Sequence, residues 1–195
     1  MAQTKILIDT NSYFRLAQNL HPLLKTAFGK ADYTLYAHKD LNWELKNVAR
    51  LKSKLQWVSE AQYVENRNRS PSIKKEQYAE IDDAYDYMWE HAKDEFHKER
   101  GKGPGDTDTL ILATALVLDI YVVTDDQDML EMANTFEVKH MSSIELMKLM
   151  ADEDHIDMDM VKQVVQQWQF DGETPNRNWE KQYRNTFETA PPKFQ

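Results

Sequence analysis

The sequence predicts an α/β fold, with a central parallel sheet and helices on both faces in three layers. Three observations predict it. Short apolar runs alternate with stretches of helical spacing along most of the chain. Two of those runs, Lys5–Ile8 and Ile120–Thr124, are each followed at once by aspartate. A segment apolar on nearly every side, 106–119, leads into the second of them, as a helix buried on a sheet should.

The elements follow in order. Lys5–Ile8 is a continuous apolar run and reads as a strand buried on both faces. Ser12 can cap a helix carrying Phe14, Leu16, Leu20 and Leu24, which Gly29 ends. Tyr33–Ala37 is rich in strand formers. Residues 39–55 return to helical spacing through Leu41, Leu45, Val48, Leu51 and Leu55, and Gln56–Val58 reads as a further short strand. After a polar break at 66–72, residues 73–99 predict one long helix or two shorter ones. Their stripe is Ile73, Tyr78, Ile81, Tyr85, Met88, Trp89, Ala92 and Phe96. The glycine-rich run 101–105 then breaks the chain before the 106–119 helix. Ile120–Thr124 predicts a strand, 127–134 a helix, and Phe136–Lys139 a fourth strand; Ser142 or Ser143 caps a helix carrying Ile144, Leu146, Met147 and Met150.

This order places a domain at 1–150, with a helical insertion at 59–103, followed by a helical C-terminal extension at 151–195. The extension holds two stripes, one of Met160, Val161, Val164, Val165 and Trp168 and the other of Trp179, Tyr183 and Phe187. Such stripes pack on their own domain, on a second copy, or around a partner helix.

Composition narrows the function. The 195 residues include no cysteine, which excludes disulfides and thiolate metal sites, so any metal binds through oxygen or imidazole. No long apolar run or signal-peptide pattern is present, and the expected location is the cytoplasm, with no membrane contact. A net charge of −9 argues against a protein that coats nucleic acid through Lys and Arg. It is compatible with an acidic site whose bound cations reverse the local sign.

The acidic residues fall at matching positions. Asp9 follows the first strand, Asp125, Asp126 and Asp128 follow the Ile120–Thr124 strand, and Asp106 and Asp108 begin the helix that feeds it. A helix preceding a parallel strand runs antiparallel to it, so its start lies at the strands' carboxyl edge, where open α/β sheets bind ligands. Glu44 sits in the 39–55 segment beside the apolar stripe. Several carboxylates in one cleft need a cation to stay ionised, and an oxygen-only donor set suits Mg2+ or Mn2+. Each residue also has a plainer role. Asp9 can start a turn, Asp106 and Asp125 can be helix caps, Asp108 and Asp128 can be first-turn acids, and Glu44 can be a solvated helix residue.

These residues resemble the motifs of PIN domains. Ile6–Asn11 resembles the family's opening strand with its metal-binding aspartate, and His38–Leu51, with Glu44, the helix bearing its glutamate. Asp108–Ala115 is similar to its third motif, and Val122–Asp128, with Asp126, to its fourth; Ser142–Met150 looks like its closing helix. The resemblance covers about 4–58 and 104–150. It implies a Mg2+- or Mn2+-dependent ribonuclease, often the toxin of a VapC-type toxin–antitoxin pair. The expected partners are RNA or single-stranded DNA, an antitoxin protein and a second copy of the chain. In this reading Asp9, Glu44, Asp108 and Asp126 carry catalysis, and Asp9, Asp108, Asp126 and Asp128 hold metal. Asn11, Asp106 and Thr124 support them by hydrogen bonds.

Two other readings compete. A haloacid-dehalogenase-type phosphohydrolase also has an aspartate after its first strand, but needs a second two residues later, where this chain has Asn11. A non-catalytic PIN-like scaffold would keep the fold and bind without cutting.

Overall fold

The computed structural model describes residues 3–39, 41–42, 56–68 and 70–193. Four strands form one all-parallel sheet in the order β2-β1-β3-β4: β1 (Thr4–Ile8), β2 (Tyr33–Ala37), β3 (Tyr121–Val123) and β4 (His140–Met141). β1 pairs on one side with β2, Ile8 opposite Ala37, and on the other with β3, Ile8 opposite Val123. The chain passes from β1 to β2 and later returns to β1's other flank, so strand order reverses between β1 and β3.

Among the described residues there are eight α-helices: α1 (Thr10–Ala17), α2 (Ala61–Arg67), α3 (Lys75–His91), α4 (Asp106–Leu118), α5 (Gln127–Thr135), α6 (Ser143–Asp152), α7 (Met158–Asp171) and α8 (Trp179–Phe187). Side chains alternate across the pleat. Ile6, Ile8 and Val123 enter a core built with α1, α6, α7 and α8. Leu7 and Val122 face a second core built with α3, α4 and α5. The predicted central parallel sheet with helices on both faces is therefore present.

Both additions to the sheet domain take part in these cores. α3 lies along α4 and supplies Met88, while the π-helical turn that continues it, Ala92–Lys98, supplies Ala92 and Phe96. Tyr78, placed on the apolar stripe by the sequence, is half exposed, because the stripe meets the core only from Ile81 onward. Val161, Val164, Val165 and Trp168 of α7 and Trp179 and Tyr183 of α8 fill the first core beside α1 and α6. The two C-terminal stripes thus pack on the chain's own sheet layer.

Other expectations are corrected. The helix expected to run through Leu24 ends at Ala17, because Pro22 lacks an N–H and disfavours helical backbone at His21. Leu20, Leu23 and Leu24 are nevertheless buried, in irregular chain. Gln56–Val58 forms part of a 3-10 turn rather than a strand, and the Val58 carbonyl accepts from the Arg67 guanidinium at 2.6 Å. The 39–55 segment, apart from residues 39, 41 and 42, lies outside the described residues.

The fourth strand, expected at Phe136–Lys139, lies at His140–Met141, because Phe136–Val138 close the end of α5. Glu137 adopts the left-handed conformation (φ 56°), and the Val138 N–H bonds the Ala133 carbonyl at 2.8 Å. This bond from the third residue past Thr135 closes the last turn and buries Val138. The same closure ends α4, through Asp119 (φ 52°) and a 3.0 Å bond from Ile120 to Ala115, and α6, through Asp154 (φ 55°) and a 2.8 Å bond from His155 to Met150. With glycine scarce, acidic residues occupy the positions that usually announce a helix end, so that signal is hidden in the sequence.

Candidate active site

Asp9 is placed by β3 on one side and by α1 on the other. Its N–H continues the β1–β3 ladder, donating to the Val123 carbonyl at 3.0 Å, and its own carbonyl accepts the first bond of α1, from Tyr13 at 2.9 Å. The carboxylate caps α1, with Oδ1 accepting from the Ser12 N–H at 2.5 Å and Oδ2 from the Thr124 hydroxyl at 2.6 Å. The side chain lies at the carboxyl edge of the sheet where strand order reverses, and the residue is 2% exposed. Burial pushes its pKa up to about 7. The bonds from Thr124 and Ser12 work against that rise, and the charge of Asp125 adds to it.

Thr124 is fully buried, and its hydroxyl oxygen also accepts from the Asp126 N–H at 3.2 Å. One side chain therefore ties the end of β1 to the start of α5. Asp126 is the N-cap of α5: its Oδ1 accepts from the N–H groups of Asp128 and Met129 at 2.9 and 3.0 Å, and the residue is exposed. Asp128 is a half-buried first-turn acid of the same helix.

Asp125 was expected to be the cap of α5, but it turns the other way. It is 2% exposed and accepts from the Ser143 N–H at 3.0 Å, the Ser143 hydroxyl at 2.5 Å and the Ser12 hydroxyl at 3.4 Å. The Arg15 guanidinium pairs with it at 3.1 Å. A carboxylate at the start of α6 also meets the positive end of that helix. Arg15 is braced in turn from the C-terminal extension. Its Nε donates to the Glu173 carbonyl at 3.3 Å, and its own carbonyl accepts from the Trp168 indole at 2.8 Å. A continuous chain of bonds thus runs from α7 to the carboxyl edge of β1.

At the start of α4, the N-cap is Gly105 rather than Asp106. Asp108 is half-buried and accepts from the Gly105 N–H at 3.0 Å. Asp106 is exposed and accepts from the Tyr85 hydroxyl. Partial burial and Asp106 push the Tyr85 pKa up to about 12. The glycine-rich run before α4 is pressed against the insertion, where a Cβ on Gly103 would overlap that of Phe96. The 59–103 insertion therefore holds the α4 N-terminus in place. Asn11 is exposed on the first turn of α1, and Glu44 lies outside the described residues.

Asp9, Thr124, Asp125 and Asp126 are brought together at the β1–β3 edge. Asp106 and Asp108 stand at the start of the antiparallel helix that feeds β3. Among the described residues, no three His, Asp or Glu side chains converge tightly enough to cage a metal. Sequence reasoning missed Arg15, Ser12 and Ser143 as partners of Asp125. The spacing of Asp9, Ser12 and Arg15, three residues apart along one helix side, was the available signal.

Scans of family models, curated proteins and solved structures each returned no match for this chain.

Proposed function

We propose that the chain is a divalent-metal-dependent nuclease of the PIN type, acting on the phosphodiester bonds of RNA at the β1–β3 edge. The observation that carries this reading is Asp9, a buried carboxylate at the switch point with its pKa near 7 and a second buried carboxylate, Asp125, beside it. A parallel α/β sheet binds ligands at that point. A carboxylate perturbed by burial at such a position is a functional-site candidate with a physical rationale.

The donor chemistry fits magnesium or manganese. The Asp9 carboxylate accepts from Thr124 and Ser12 and keeps lone-pair capacity, and Asp126 spends only Oδ1 on its cap bonds. Mg2+ commonly takes one or two carboxylates and completes its shell with water and substrate phosphate, so a full protein cage is not required. Bound there, the ion would supply a water of lowered pKa and positive charge beside the phosphoryl oxygens. Asp9 and Asp126 would hold it, with Asp108 approaching from α4 and Glu44 as the fourth acid. Thr124 would fix the Asp9 carboxylate by donating to Oδ2, and Asp125 would fix the ends of α1 and α6 through Ser12, Arg15 and Ser143.

One observation favours a second reading, a binding scaffold that does not cut. Asp9, Asp108 and Asp126 each already accept backbone N–H bonds at a helix start. Titrating the metal-free chain with Mn2+ by calorimetry, then assaying labelled single-stranded RNA and DNA, separates the two. Saturable binding weakened in Asp9→Asn, together with Mn2+-dependent cutting, supports the nuclease. RNA binding indifferent to Mn2+ and to that substitution, without cutting, supports the scaffold. A toxin role adds that expression arrests growth and that a co-expressed antitoxin relieves it.

A further inference from the structure

We propose that the outward face of α3 docks an arginine-rich segment of another protein. This proposal does not rest on the nuclease reading. α3 buries Ile81 and Met88 in the second core, and the side opposite them carries Glu76, Glu80, Asp83, Tyr87 and Glu90. These positions follow one another at alternating steps of four and three, so they form one stripe along the helix. All of them are exposed, and Asp82 and Asp86, also exposed, flank the stripe on one side.

The stripe keeps repulsions that a helix ordinarily relieves. Glu76–Glu80, Glu80–Asp83, Asp83–Asp86 and Asp86–Glu90 are like-charge neighbours three or four residues apart, each unfavourable in an isolated helix. Glu90 also stands in the last turn, where the helix dipole disfavours an acid. Lys75 is the single Lys or Arg in α3. Among the described residues, none of these acids takes part in a salt bridge or accepts a hydrogen bond. Other surface helices do relieve their acids: Lys148 pairs with Asp152 in α6, Lys162 with Asp159 in α7, and Arg184 with Glu180 in α8. The repulsion that α3 retains is offset when a cationic partner lies along it.

Charge complementarity makes the occupant cationic, and the layout of the face narrows its kind. Carboxylates on every turn repel phosphate, so the face turns nucleic acid away. Among the described residues no three acids or histidines converge enough to cage a metal ion. From Glu76 to Glu90 the stripe runs about 21 Å at the helical rise, a length that about seven residues of extended chain cover. Tyr87 selects arginine within that class. Its ring is 70% exposed inside the acidic stripe and stands edge-on to Phe136 at 5.8 Å. Phe136 is braced in turn by His91 at 5.2 Å. A guanidinium stacks on such a ring while its fork of N–H groups meets the carboxylates of Asp83 and Glu90, one turn to either side.

The test titrates the full chain with a fluorescein-labelled nona-arginine peptide at physiological salt, read by fluorescence anisotropy, with nona-lysine and spermine as competitors. The triple variant Glu80→Gln, Asp83→Asn, Glu90→Gln takes charge from the face, and the triple variant Glu60→Gln, Glu65→Gln, Asp171→Asn takes the same charge from elsewhere. The expected result is saturable micromolar binding, weakened at least tenfold by the first triple, at least fivefold by Tyr87→Ala and less than twofold by the second triple. Tyr87→Phe should bind as the parent does, and nona-lysine and spermine should compete at least threefold less well than unlabelled nona-arginine. The first triple removes repulsion, so its Tm should equal or exceed the parent's, which separates lost docking from lost fold. Equal weakening by both triples overturns the proposal in favour of net charge alone. Binding indifferent to Tyr87→Ala, spermine competing as well as nona-arginine, or no saturable binding overturns it as well. A parent dimer in sedimentation that the first triple dissolves would overturn it by giving the face to a second copy.

Discussion

The Thr124 hydroxyl donates to Asp9 Oδ2 at 2.6 Å, joining the ends of two strands that are neighbours in the sheet but 115 residues apart in the chain. Thr124→Val keeps the shape and removes the donor. The Asp9 pKa should then rise further, and stability should fall by about 1–3 kcal/mol, the usual cost of leaving a buried group unsatisfied. Urea denaturation at pH 8 in EDTA checks this; unchanged stability would show the bond carries nothing.

Asp9 also predicts a pH dependence. Its pKa is about 7 folded and 3.8 as an ordinary aspartate, so between those values the folded state binds the extra proton. Its contribution is fully present below about pH 4 and is lost as pH rises through 7. A shift of about three units corresponds to on the order of 4 kcal/mol at most. Metal-free Asp9→Asn should therefore lose this slope and gain stability over the parent above pH 7. Parallel stability–pH curves for the two proteins would contradict the assignment.

On the proposed metal-dependent reading, the same proton would link Asp9 to the ion. A cation favours the ionised carboxylate, so Mn2+ affinity should climb about tenfold per pH unit below 7 and level off above it. Calorimetry in buffers of different ionisation enthalpy should show close to one proton released per ion at pH 6. Release of none would place the ion elsewhere.

Asp125 and Arg15 form a pair whose side chains are 0% and 15% exposed. Removing one partner strands a buried charge, so Asp125→Ala or Arg15→Met should cost about 3–5 kcal/mol. The double variant should recover part of that loss, which a double-mutant cycle reads directly.

The C-terminal extension belongs to the core, and Trp168 is its largest fully buried side chain. Trp168→Ala should cost about 3–5 kcal/mol. Because the indole holds the Arg15 carbonyl, the loss should be accompanied by weaker metal binding at the β1–β3 edge. Denaturation and metal titration on the same variant test both parts.

Much of the sheet was legible because its strands are short apolar runs buried on both faces. Ile6, Leu7 and Ile8 read as a buried strand and the run from Asp106 to Leu118 as a helix on a sheet, and both are found. The ends were harder to read. Val138 is apolar and follows Phe136, so it looked like strand, yet it closes a helix through a left-handed Glu137 that no glycine announces. At the site, position was legible and partnership was not. Asp9, Asp125 and Asp126 were placed at the right edge. Which of the adjacent acids would cap α5 and which would turn inward depended on Arg15 and Ser143, far away in sequence.

The central claim is tested most directly by the initial rate at which this chain cuts labelled single-stranded RNA in Mn2+, set against Asp9→Asn of equal fold by circular dichroism. The account predicts EDTA-sensitive cutting by the parent and a loss of at least about 100-fold in the variant, the scale of removing one group that stabilises transition-state charge. Undiminished Mn2+-dependent cutting by Asp9→Asn would contradict it.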